Sequence, residues 1–187
     1  MTKLPVLAAS ALFLCIQSAS AETLTIDTSF KLTSPAFESG DTLPADLKCQ
    51  RDQGDGLSPP LNWTTAPAGS KSLALIMHHY PRGTIEGRDA PSQYWLLWNI
   101  PVETTKLKRG NPLSIGTEGS DKDGRRTGYT PPCSPPGPQH KYTITIYALN
   151  GMLDNLPTQD SLSVDWQTMT DAMQGKIISS SKIEFLN

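Results

Sequence analysis

Apolar and polar residues alternate with a period of two over residues 24–29, 72–79, 93–100, 141–149 and 183–186, and each stretch is rich in β-branched or aromatic side chains. That period puts successive side chains on opposite faces of an extended chain, so each stretch is predicted as a strand. Proline clusters punctuate the intervals: Ser58-Pro59-Pro60, Pro131-Pro132 and Pro135-Pro136-Gly137-Pro138. They predict stiff loops between strands. One segment changes period. Trp166, Met169 and Met173, with Ala172 beside them, fall at i, i+3 and i+7, with Ser163 as the expected N-cap and Gly175 as the stop. This predicts one short helix whose Trp and Met stripe is core packing. No repeat period emerges, which argues against solenoids and propellers. Mainly β, with one late helix, implies a two-sheet antiparallel β-sandwich with a short C-terminal helix.

The N-terminus departs from this pattern. Residues 4–16 form an apolar run behind Lys3, followed by Ala19-Ser20-Ala21, the small-x-small signature of signal-peptidase cleavage. The run falls short of the roughly 20 apolar residues a membrane span needs. The expectation is therefore a signal peptide over residues 1–21, a single domain over 22–187, and a periplasmic or secreted location. Removing the leader from the 187 residues leaves 166, with 15 Lys and Arg against 18 Asp and Glu, a net charge of -3. Arg125-Arg126 sit beside Asp121, Lys122 and Asp123, so no concentrated basic face marks a nucleic-acid binder. Cys15 lies in the leader, so cleavage leaves Cys49 and Cys133 as a pair in an oxidising setting. A bridge between them would close a loop of roughly 80 residues and contribute about 4 kcal/mol in the chain-entropy picture; two buried thiols are the alternative reading.

Imidazole chemistry has three candidates, His78, His79 and His140. His78 and His79 are neighbours at the end of a predicted strand and so should point to opposite faces of the sheet. That weakens a shared metal site, and neither Cys-x-x-Cys nor His-x-x-x-His spacing is present. One core-facing and one exposed histidine is the bland reading; a ligand role for His79 is the sharper one. His140 stands where the Pro-rich loop meets the 141–149 strand, and Tyr142 falls on the same strand face. Hydrogen-bond donors converging without a carboxylate suit an anion or phosphate group. There is no Gly-x-Ser-x-Gly elbow and no Gly-rich phosphate cradle. Cys133 with His140 is the best enzyme-like pair, but Cys133 is more simply half of a disulfide. No cofactor and no metal is implied.

Five segments, CQRDQGDGLSPPLNW at 49–63, SLALI at 72–76, YWLLWNIP at 94–101, GYTPPC at 128–133 and HKYTITIYAL at 140–149, together resemble the phosphatidylethanolamine-binding protein family, specifically its bacterial and archaeal Raf-kinase-inhibitor-like branch. The resemblance implies a β-sandwich with a small pocket at one end that holds a phosphate or a phospholipid head group. His140 and Tyr142 match the family's His-Arg-Tyr motif, with Lys141 in the Arg position, and Pro135 and Pro136 match the double proline of the pocket rim. Cys49 and Cys133 both sit in family motifs, which implies that they lie near each other. There are departures. Where the family strand runs into Asp-Pro-Asp-x-Pro, this chain reads His79-Tyr80-Pro81-Arg82-Gly83, so His79 stands in place of the pocket carboxylate. Tyr94 stands where the family has its other pocket histidine.

These readings favour an exported binding protein that uses His79, Tyr94, Pro135, Pro136, His140 and Tyr142 to hold a small anionic ligand or phospholipid head group. The competing expectations are an inhibitor or interaction protein acting on a protease or other enzyme, and an enzyme using His79 or His140 as acid or base. The last is weakest, since neither imidazole has an orienting carboxylate evident in the sequence.

Overall fold

The computed structural model describes residues 29–135 and 137–187. The signal-peptide reading, Cys15, nearly all of the 24–29 strand and Pro136 therefore lie outside the described residues; Ser29 itself is in a turn.

Two antiparallel sheets form the sandwich. The smaller has the order β1 (Leu32–Thr33), β2 (Leu61–Trp63) and β5 (Lys106–Leu107). The larger runs β6 (Thr117–Glu118), β4 (Ser92–Pro101), β3 (Ser72–His79), β7 (Lys141–Leu149) and β8 (Ile177–Leu186). The long strands match the alternating stretches of the sequence. The last is longer than its pattern, beginning at Ile177 instead of 183, because Ser179, Ser180 and Ser181 add no apolar alternation yet pair fully with β7. The strands of the smaller sheet, and β6, have two or three residues each, too short to show a period.

Central strand β3 is buried at every position. Leu73, Leu75 and Met77 point between the sheets, into a core with Trp95, Leu97, Ile144, Ile146 and Phe185. Ala74 and Ile76 point the other way, into a second core with Leu96, Trp98, Leu153, Met169 and Met173. The large sheet is thus covered on both faces, by the small sheet and by the helix α1 (Trp166–Met173) with the segment before it. This explains why β3 runs apolar from Leu73 to Met77 without the polar alternation expected of it. The helix stripe packs as core, as its spacing predicts. Its N-cap is Asp165, whose side chain accepts from the Thr168 N–H at 2.9 Å; Ser163, the expected cap, instead pairs its hydroxyl with Ser161. Gly175, with φ of 70°, follows the helix as expected.

Cys49 and Cys133 are joined in a disulfide, with Cα atoms 5.3 Å apart and a sequence separation of 84. The bridge ties the Pro-rich loop to the segment around Cys49. Two further bonds follow the same path: Cys49 N–H donates to the Pro132 carbonyl and the Arg51 guanidinium to that of Ser134. Gly54 lets this segment fold back on itself, since a Cβ there would sit 1.9 Å from the Lys48 carbonyl oxygen.

Candidate functional site

The ends of β3 and β7 lie side by side, with His79 paired to Tyr142 in the ladder. Strand alternation sends the two adjacent histidines to opposite faces, as the sequence predicts. His78 packs against Trp166 and Tyr80, with ring centroids 5.0 and 5.5 Å away. His79 stacks on Tyr142 at 4.9 Å and meets His140 at 5.0 Å and Tyr94 at 6.4 Å. Tyr142 in turn stacks on core residue Phe185, so the His79 ring is the outermost member of a column rooted in the core.

The four sequence-predicted ring residues do come together, but in two tiers. Tyr142 and Tyr94 are buried beneath. Their rings meet edge to face at 5.0 Å, and burial, followed by the neighbouring Tyr142 hydroxyl, pushes the Tyr94 hydroxyl upward in pKa. Tyr142 also meets the Ser134 hydroxyl at 3.2 Å, which anchors the Pro-rich loop to the column. Above them opens a cavity of about 470 Å³, lined by His79, Tyr80, Arg82, Pro135, Pro138, Gln139, His140 and Lys141. Pro135 is one of these lining residues. His140 is held by reciprocal backbone bonds to Asn187, at 2.8 and 2.9 Å.

Sequence reasoning missed Arg82, Tyr80, Gln139 and Pro138 as lining residues. The signal for Arg82 was present, because it follows His79 by three residues across Pro81, but a loop position gives no facing direction until the fold sets it. Among the cavity-lining residues are two cationic side chains, Arg82 and Lys141, and no carboxylate. Lys141 reaches Glu184 at 3.3 Å, outside the lining.

His79 Nδ1 lies 3.0 Å from the Lys141 carbonyl oxygen. A carbonyl can only accept, so this bond places the proton of the neutral ring on Nδ1. Burial lowers the His79 pKa below its ordinary value; the bond to Lys141 opposes this and the charge of His140 adds to it. His78, deeper in the protein, is brought down to about 4, mainly by burial, with Glu86 opposing. Among the described residues the grouping with metal-ligand spacing is Cys49, Asp52 and Cys133, and its sulfurs are bonded to each other.

Known proteins share this architecture and sequence. The profile of the phosphatidylethanolamine-binding protein family matches residues 33–186. The chain belongs to that family. Among its relatives is a UPF0098 protein of Methanothermobacter thermautotrophicus, 32% identical over 81% of this chain and 94% of its own length. A UPF0098 protein of Chlamydia trachomatis is 31% identical over 82% and 95%. A solved structure from Chlamydia trachomatis, described as a phosphatidylethanolamine-binding protein homolog, superposes with a TM-score of 0.71 at 29% identity, covering 86% of this chain and 98% of the other. Escherichia coli YbcL superposes with a TM-score of 0.70 at 20% identity over 85% and 98%, a likeness of fold alone.

Proposed function

We propose that this member of the family is an exported binding protein, not an enzyme, whose cavity beside His79 and His140 takes a small anion: a phosphate or the phosphate of a phospholipid head group. The observation that carries this reading is the lining itself, in which Arg82, Lys141 and two imidazoles face a common space with no acid among them. Such a set attracts negative charge and supplies the hydrogen-bond donors that oxyanions need. The rigid platform beneath supports binding, since the Tyr142 and Phe185 stack and the disulfide-tied loop order the site before any ligand arrives. The cavity volume lies within the range of small-ligand sites, roughly 300–1,000 Å³. Family membership agrees with a head-group ligand, and the leader-like N-terminus with export.

Titration of the folded protein with inorganic phosphate, followed by NMR of the imidazole side chains, tests the reading. The His79 and His140 signals are expected to shift together at millimolar phosphate, and His140→Ala to weaken the shift of His79. Unmoved imidazoles at saturating phosphate would sink it.

A further inference from the structure

The identity of residue 79 decides what kind of anion the cavity accepts. Its Nδ1 proton is committed to the Lys141 carbonyl. The ring nitrogen left for a ligand is Nε2, which has no hydrogen-bond partner among the described residues and, unlike Nδ1 of His78, is not sealed from solvent. A neutral His79 therefore presents a lone pair to the cavity, while Arg82, Lys141 and His140 supply positive charge or donors around it. A fully ionised oxyanion would set its own lone pairs against that nitrogen. An oxyanion that still carries a proton would donate it.

We propose, building on the anion-binding reading, that His79 makes the cavity selective for a proton-bearing phosphoryl group, hydrogen phosphate or a phosphomonoester, over tetrahedral anions without a P–OH, such as sulfate or a phosphodiester. The proton is shared along an O–H···Nε2 bond, and no covalent bond is made or broken. A ligand that lacks this proton must wait for His79 to take one from solvent.

The groups that face His79 do not supply that proton readily. Tyr142 and Tyr94 pack against the ring from β7 and β4, and the Tyr94 hydroxyl holds its proton more tightly than usual. His140, Lys141, Tyr80 and Arg82 complete the surroundings. Burial also lowers the affinity of His79 for a solvent proton, and each pH unit above its pKa costs a factor of about ten in the protonated form.

Hydrogen phosphate and sulfate make the decisive pair, because at about pH 8 both are tetrahedral dianions and differ by one proton. Calorimetric or NMR titration of the full folded protein is expected to give at least about tenfold tighter binding of phosphate than of sulfate at that pH, a gap that narrows as the solution is acidified and His79 becomes a donor. Methyl phosphate should likewise exceed dimethyl phosphate. In His79→Gln the amide can turn its NH2 toward either anion, so the preference should collapse while binding persists; His140→Gln should weaken both anions together and keep the preference. Vesicles containing phosphatidate, compared with phosphatidylcholine alone, assign the phosphoryl group to a lipid if they bind, and to soluble phosphate if inorganic phosphate binds without them. Equal affinity for phosphate and sulfate in the unmodified protein would overturn the selectivity and leave the anion site standing. No binding of either anion would overturn the site itself.

Discussion

His78 and His79 are consecutive in sequence and nearly equal in exposure, at 9% and 8%, yet they occupy different chemical worlds. His78 looks toward the helix layer, where Trp166 and Tyr80 enclose it and its Nδ1 has no partner. His79 looks toward the strand ends, where a backbone carbonyl fixes its proton and a cationic cavity meets its free nitrogen. Exposure alone does not distinguish them; depth and partners do. An imidazole held neutral by packing is a structural element with a latent acid weakness. One kept neutral by burial and fixed in its tautomer by a directed bond, with its other nitrogen on a cavity, can recognise a ligand.

The strongest test of this contrast removes the covalent tie that serves only one side. Replacing Cys49 and Cys133 together with Ser should lower stability by about 4 kcal/mol, the chain-entropy contribution of a loop this long, as read by urea unfolding. At urea concentrations where the variant remains folded, the signals of His79 and His140 should shift while Trp166 keeps its fluorescence. Disturbance of both faces alike would erase the distinction.

Acid probes the other side. The unfolded chain binds a proton at His78 below about pH 6.5, while the folded chain resists until about pH 4. The His78 contribution is therefore constant at higher pH and is lost as pH falls through that window, by about 3 kcal/mol in all. His78→Phe, which retains an aromatic ring against Trp166, should lack this component when its urea stability is compared with the unmodified protein between those pH values. Parallel pH profiles would show that His78 is not held neutral.

The smallest effect sharpens the boundary of the helix layer. Asp165→Ala removes the cap bond to Thr168 and should cost about 1 kcal/mol, with faster amide exchange in α1 and an unaltered response of His79 to phosphate. A weakened phosphate response would mean that the two faces are coupled through β3.

The fold was legible wherever burial imposed a period. The apolar stretch within 72–79 and the alternation over 141–149 marked two central strands, and strand geometry predicted that His78 and His79 would part. The helix was visible through Trp166, Met169 and Met173, although its cap was misread because Asp165 and Ser163 are both good capping residues and only the backbone path decides between them. The strands Leu32–Thr33 and Lys106–Leu107 were invisible because two residues carry no period. At the site, His140 and Tyr142 were picked out by their position where the Pro-rich loop meets the strand, and Pro135 through motif resemblance. Tyr94 and Tyr142 proved to be the floor beneath the cavity, and Arg82 entered its wall only because the turn after Pro81 brings it there.

By itself, then, the sequence determined which residues alternate, which lie next to each other, and that Cys49 and Cys133 both fall in segments resembling one family's motifs. It could not determine tautomers or facing directions. The proton on His79 is set by the Lys141 carbonyl, which lies 62 positions away along the chain, and the cationic character of the cavity by loops that converge at one end of the sandwich. Local pattern encodes period because each side chain answers to its own burial; a binding site depends on distances between segments, and those exist only once β3 and β7 have paired.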